Sequence, residues 1–446
     1  MVGPTPRTVP ARRAKASNEV EAVSKKKPSA LQLEEGCPIP NTHRRLLSAH
    51  RLWHQTLAQY DSPEGFRTNL NSTIQELRNV TWVLQKEHAA LPAFKDWYAT
   101  QQERLQADPL CKWLVAARNR VVKQGDLETL SRARVSVLID YDRPPTCEFD
   151  APPFSKTRQI AAGLAAATPE FIREDAVLVV ERRWTVDDLP DHELLEALAH
   201  IFAVLSNVVA EAHTRAGVAF APVCCAKFAS EDSSPHLIPP CMVSGEEKRR
   251  VRIKLESGQF VVRREKKVVL RRNDKRVRNL KERYGFRAPP PGGARGLLTM
   301  GSHLHELAKL ILVKDGHHIH LVHLTRGDQL VGFRVLQADD QADKHLIWHS
   351  LAEEIKREEV DGVIATGEIW RAPFDPANRL RRASESPERH EALQTTIASA
   401  AGLEMAFFTP FTRDSSGQIA LGETYENEIR LIFMEPVFEV WRSREK

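Results

Sequence analysis

Residues 41–131 repeat apolar side chains at three- and four-residue spacing, a period that only helices satisfy. Leu46, Leu47, Trp53, Leu57 and Tyr60 form a first stripe, and Phe66, Leu70, Ile74, Leu77 and Leu84 a second. Ser62-Pro63 and Asp108-Pro109 each join a capping side chain to a proline whose fixed φ suits a first helical turn. Pro92 interrupts, so a third helix is expected over 94–106. A fourth carries Leu110, Trp113, Leu114, Ala117 and Val121 and stops near Gly125. Short connections make successive helices antiparallel neighbours, so a helical bundle is expected over 41–134.

The rest of the chain mixes both periods. A strand is expected at 135–139, a Pro-rich connector at 141–154, a short helix at 158–167 and a buried strand at 176–181. Asp191 is placed to cap a strongly apolar helix that carries Leu194, Leu198, Phe202, Leu205 and Val209. At 250–255 cations alternate with Val251, Ile253 and Leu255, the period of a strand. Val268–Leu270 continues that strand pattern, and 275–284 reads as a short basic helix stopped by Gly285. Pro289-Pro290-Pro291-Gly292-Gly293 marks a linker over 289–296. Beyond it, a helix capped by Ser302 precedes strands at 317–323 and 330–337 and a helix over 343–358. A strand at 361–368, a helix reaching 401, and strands at 403–411 and 429–441 complete the pattern. The expected fold is α+β and multi-domain. A disordered basic tail (1–40) precedes the antiparallel helical bundle (41–134). Two α+β domains with mainly antiparallel sheets follow, 135–288 and 297–446, the second sheet covered on one face.

Charge is spread unevenly. The net charge is +5, yet residues 248–287 hold seventeen Lys and Arg against four acids. Residues 1–28 hold seven against two, which leaves the remainder acidic. A basic segment on an acidic body points to a polyanionic partner. The residues expected to contact nucleic acid, RNA first, are Lys248, Arg249, Arg250, Arg252, Lys254, Arg263, Arg264, Arg271, Arg272, Lys275 and Arg276, with Phe260, Tyr284 and Phe286 placed to stack on bases.

Other classes find less support. No run approaches the ~18–20 uncharged residues that span a bilayer, and the N-terminus has no apolar segment behind its basic residues, so no membrane partner and a cytoplasmic location are expected. The six cysteines lack C-x-x-C spacing and read as reduced thiols, with Cys224, Cys225 and Cys241 a metal candidate. No phosphate loop, nucleophile elbow or dinucleotide motif occurs, so no cofactor is named.

The last bundle helix carries Arg118-Asn119, with Lys123 four residues beyond Asn119. A four-helix unit that ends in such a pair resembles HEPN-type helical domains, many of which cut RNA. Their motif is Arg, a polar residue, a short spacer and His. Arg118 and Asn119 fill the first two places, but the His place falls on Lys123 or Gln124. A lysine is not a neutral base near pH 7 unless strongly desolvated. The resemblance therefore implies a binding or degenerate domain more than a nuclease. If catalysis exists here, Arg118, Asn119 and Lys123 would carry it. The structural alternative is an Arg118 satisfied by carbonyls or by Asp126.

In the last domain, His318 and His320 share a strand face, and His345 and His349 stand four apart on a helix. Both spacings suit metal ligands for a metal-assisted hydrolase, with Glu368 as a further donor, although no H-E-x-x-H signature is present. Glu181–Trp184 and Glu368–Trp370 put acids near Trp at strand ends, as rim candidates. A third reading is a scaffold that forms homo-oligomers through the bundle.

Overall fold

The computed structural model describes residues 36–225, 237–243, 246–261, 274–285, 296–373, 376–377 and 382–444. The expected helices appear as α1 (Pro40–Ala58), α2 (Pro63–Leu84), α3 (Phe94–Ala107) and α4 (Pro109–Lys123). Asp108 caps as its position implies: Oδ1 accepts the N–H groups of Leu110 and Cys111 at 2.9 Å each. Gly125, at φ +134°, breaks the backbone after α4.

Then come β1 (Leu130–Leu138), β2 (Thr146–Asp150), α5 (Thr157–Ala167), α6 (Glu170–Arg173), β3 (Val177–Thr185) and α7 (Leu194–Arg215). The connector expected at 141–154 holds β2, paired antiparallel to β1 from Arg132↔Asp150 to Ser136↔Thr146. The start of α7 is capped by Glu193, not Asp191, through an N–H from Glu196 to Glu193 Oε2 at 3.0 Å. By length and composition α7 would cross a membrane, but 72% of its apolar window is buried in the protein.

Next are α8 (Glu246–Arg249), β4 (Arg250–Lys254), β5 (Phe260–Val261) and α9 (Asp274–Tyr284). The strand expected at 268–270 and the linker at 289–293 lie outside the described residues. The last section holds α10 (Leu297–Asp315), β6 (His320–Arg326), β7 (Gln329–Leu336), α11 (Gln341–Arg357) and β8 (Gly362–Arg371). β9 (His390–Ser399), β10 (Glu404–Arg413), β11 (Ile419–Leu421), β12 (Tyr425–Asn427) and α12 (Glu435–Arg444) follow.

Three expectations fail here. Ser302 lies inside α10 rather than capping it. The helix expected to reach 401 is the central strand β9, paired with both β8 and β10. Thr395, Thr396 and Ile397 are β-branched, and ladder pairing on both sides overrides the Ala and Leu content. The strand expected at 429–441 is α12 instead, with Val437 and Trp441 buried four apart, the spacing of one helix face.

The fold is multi-domain α+β, with two antiparallel sheets. Their strand orders are β2-β1-β3-β4-β5 and β11-β10-β9-β8-β6-β7, with β12 also paired to β10. The described chain forms two compact units. The first takes Met1–Arg51, Ile74–Val115 and Ala199–Val243 and is helical, with Leu46, Leu77, Phe202 and Val209 in its core. There the Glu211 carboxylate collects Trp97 Nε1 at 3.3 Å, Gln101 Nε2 at 2.8 Å and Arg104 at 3.0 Å.

The second unit takes Leu52–Thr73, Ala116–Leu198 and Ser244–Lys446, and it holds both sheets. On the five-stranded sheet, Ala133, Val135, Leu178, Val180, Ile253 and Leu255 pack with Ile160 and Ala161 of α5. Leu138 and Val177 pack instead with Ala342 and Leu346 of α11. Further along α11, Trp348, Leu351, Ala352 and Ile355 pack on Val322, Leu324 and Val363 of the larger sheet and on α12. The other face of that sheet carries α10, through Leu297, Met300 and Leu304 against Ile364, Ile397 and Phe407. The larger sheet is thus covered on both faces, not one. Helix α11 is buried against both sheets.

That position is fixed by charge as well as apolar surface. Arg334 of β7 is 3% exposed and pairs with Glu354 of α11, 5% exposed, through Nε to Oε2 at 3.0 Å and a second contact to Oε1. Removing one partner of such a pair leaves a buried charge behind. Glu354→Ala should therefore lower unfolding free energy by about 3–5 kcal/mol, read by urea denaturation. Arg334→Met combined with Glu354→Leu should recover most of that loss. Additive losses in the double variant would contradict the pairing.

Candidate nucleic-acid interface

The basic segment divides into two parts with different chemistry. In β4 the alternation holds: Ile253 and Leu255 enter the core, while Arg250, Arg252 and Lys254 share the other face. That face is not a solvated patch. Arg249, just before β4, is buried beside Glu193 at 3.7 Å and Glu196 at 2.5 Å. Arg250 reaches Glu181 at 3.0 Å and Glu353 of α11 at 2.6 Å. Lys254 Nζ lies 2.6 Å from Asp340 Oδ2 and 2.9 Å from Asp343 Oδ1, the cap and first turn of α11. Burial opposes the Lys254 charge, but the hydrogen bonds to Asp340 and Asp343 outweigh it and hold the ammonium above its usual range. Arg252 is 4% exposed. Arg249, Arg250 and Lys254 are thus held in ion pairs within the fold, and Arg250 and Arg252 border a cavity of about 330 Å3. Lys248 is exposed.

The second part is α9. Arg278, Lys281 and Arg283 are exposed on it, and Lys275 and Arg276 belong to the same helix. Arg283 and the Tyr284 hydroxyl meet the Asp315 carboxylate at 2.6 and 2.7 Å, which ties the end of α9 to the end of α10. Of the expected stacking aromatics, Phe260 packs with the core under the Arg158 guanidinium at 4.9 Å. Arg263, Arg264, Arg271, Arg272 and Phe286 lie outside the described residues.

The other sequence candidates are dispersed. Arg118 is half-buried and donates to Asn119 Oδ1 at 3.3 Å, while Lys123 is exposed. Asp126, the carboxylate expected for Arg118, instead accepts from Asn71 Nδ2 at 2.9 Å and lies 3.4 Å from Arg67. The four histidines fall into two places. His318 N and His320 Nε2 bond to Glu368, the latter to its carbonyl at 2.7 Å. His345 stacks edge-on to Tyr141 at 4.8 Å, and His349 Nε2 lies 3.0 Å from Asp140 O. Trp184 is no rim residue: it is 0% exposed, stacked on Phe66 at 4.8 Å, with the Arg182 guanidinium over it at 3.9 Å. Arg182 in turn bonds to the carbonyls of Pro152, Pro153 and Ser155 and so holds that turn. Trp370 is 45% exposed and, with Glu368, borders a cavity of about 770 Å3.

The metal candidate Cys224, Cys225 and Cys241 gains histidine partners that sequence reading missed, His50 and His54, and a second group was missed entirely. In the helical unit, His50 Nε2 lies 3.1 Å from Cys241 Sγ, which lies 3.4 Å from Cys224 Sγ. Cys37, His43 and His213 form a second group. The signal was the i,i+7 pair His43 and His50 on one face of α1. Cys37 lies six residues from His43, but His213 is 176 residues from Cys37 and Cys241 is 191 from His50, too distant to show a spacing.

Glu193 provides a pH signature. Burial pushes its carboxyl up to about 7, against the pull of the neighbouring Arg249. The unfolded value is near 4.3, so the folded chain holds this proton more tightly. Its stabilising contribution is full below that unfolded value and is lost as pH rises toward 7. Glu193→Gln should flatten the stability profile between about pH 4.3 and 7, measured by urea denaturation across that range. An unchanged slope would contradict the assignment.

The family described as bacteriophage lambda protein ea47 matches residues 26–446. Protein ea47 of Escherichia phage lambda is 26% identical over 342 residues, which cover 73% of this chain and 78% of that protein. No solved structure matches. The match over nearly the whole length shows that this chain belongs to the bacteriophage lambda ea47 family.

Proposed function

We propose that this ea47-family chain binds nucleic acid, RNA in preference, through α9 and the basic stretch before it. The observation that carries the reading is the exposure of Arg278 and Lys281 on α9, while Arg249, Arg250 and Lys254, like Arg283 at the end of α9, are held in ion pairs. Residues 262–273 add six cations against one acid directly ahead of α9. Mobile cations on one solvent face are what phosphate contact requires, since each contact releases condensed counterions. Charges already neutralised by carboxylates release none.

Filter binding to single-stranded RNA and duplex DNA across a salt series tests the reading. Arg278→Glu with Lys281→Glu should weaken binding at least tenfold and lower the salt slope by roughly one to two, about 0.7–0.9 per phosphate contact. Lys254→Met should lower stability while leaving affinity unchanged at temperatures where the variant is folded. Unchanged affinity in the α9 variant would overturn the reading. A tighter complex with duplex DNA than with RNA would overturn the RNA preference.

A further inference from the structure

Cys37, His43 and His213 meet inside the helical unit although 176 residues separate the first from the last. Cys37 stands just ahead of α1, His43 lies in its first turn, and His213 lies in the last turn of α7. Cys37 Sγ is 3.2 Å from His213 Nε2 and 3.6 Å from His43 Nδ1. All three donor atoms lie within 4.8 Å of one another. Tetrahedral zinc with bonds of ~2.0–2.3 Å holds its ligand atoms about 3.3–3.8 Å apart, so the sulfur–nitrogen separations are already those of a ligand set.

The surroundings fit the same chemistry. His213 Nδ1 lies 2.8 Å from the Val209 carbonyl, which only accepts, so Nδ1 carries the proton. In the neutral ring Nε2 then presents its lone pair towards Cys37. A backbone carbonyl on the remote nitrogen is the usual orienting contact of a metal-bound histidine. His43 is 4% and His213 1% exposed. Phe220 lies tilted against both rings, 5.5 Å from His43 and 5.2 Å from His213, and lends the group apolar surface.

We propose that Cys37, His43 and His213 bind one zinc ion, with the Cys37 thiolate and two neutral imidazoles as ligands and the fourth position open to water. The ion fastens the segment ahead of α1 to the end of α7. Binding displaces the Cys37 thiol proton to solvent. A second group, His50, His54, Cys225 and Cys241, also brings its donor atoms within 4.8 Å of one another, so the test must tell the two apart.

The full chain, purified without added metal and then titrated with zinc and separately with cobalt(II), tests this. Elemental analysis should give one zinc per chain that Cys37→Ser and His213→Asn each remove, with circular dichroism unchanged. Cobalt should give tetrahedral d–d bands and a near-ultraviolet thiolate band, and Cys37→Ser should abolish the latter. Cys241→Ser should leave both cobalt signals in place. A chain that takes up no metal would overturn the proposal and leave a thiol–imidazole hydrogen-bond relay. So would zinc that survives Cys37→Ser but is lost in Cys241→Ser.

Discussion

The second unit depends on one buried helix. On helix α11, Leu346 enters the smaller sheet, and Trp348, Leu351 and Ile355 enter the larger one, while Glu353, Lys356 and Arg357 are exposed. Beside these apolar contacts α11 carries the acids Asp343, Glu353 and Glu354. Each acid is matched by a cation from a strand: Lys254, Arg250 and Arg334 respectively. Charges taken out of water are tolerated only when paired and hydrogen-bonded. The buried pairs Arg334–Glu354 and Lys254–Asp343 therefore help to set the register of α11 against the sheets, because sliding the helix by one turn would separate both.

This constraint changes the meaning of the basic segment. A net charge of +13 over forty residues reads as one polyanion-binding surface when only sequence is in view. In the structure, Arg250 and Lys254 of its first part pair with acids of α11 and Arg249 with Glu193 and Glu196, while Arg278 and Lys281 of α9 are exposed. A single charge excess thus performs two tasks, internal neutralisation and surface display. Their separation follows the strand-to-helix change between β4 and α9.

Local chemistry was legible where it decides the outcome. Asp108-Pro109 announced the start of α4, Gly285 at φ +63° the end of α9, and the alternation from Arg250 to Leu255 announced β4. Tertiary pairing was not legible. The sequence 390–399 mixes helix formers with Thr395, Thr396 and Ile397, and only its ladders with β8 and β10 make it a strand. The acids that claim Arg250 lie 69 and 103 residues away, so no local pattern could mark that arginine as internal. The same distance effect hid the meeting of Cys37 with His213. Trp184 looked like a rim residue because strand ends often are; its stack on Phe66 depends on α2, which the local pattern does not reveal.

The division of the basic segment is tested most directly by backbone hydrogen exchange with and without single-stranded RNA. In the free chain the β4 amides, 250–254, should exchange slowly, as expected of a strand paired on both sides. Those of α9, 274–284, should exchange faster. Addition of RNA should slow α9 and leave β4 unchanged. Protection that appears at β4, or RNA-dependent protection elsewhere with α9 unaffected, would contradict the account.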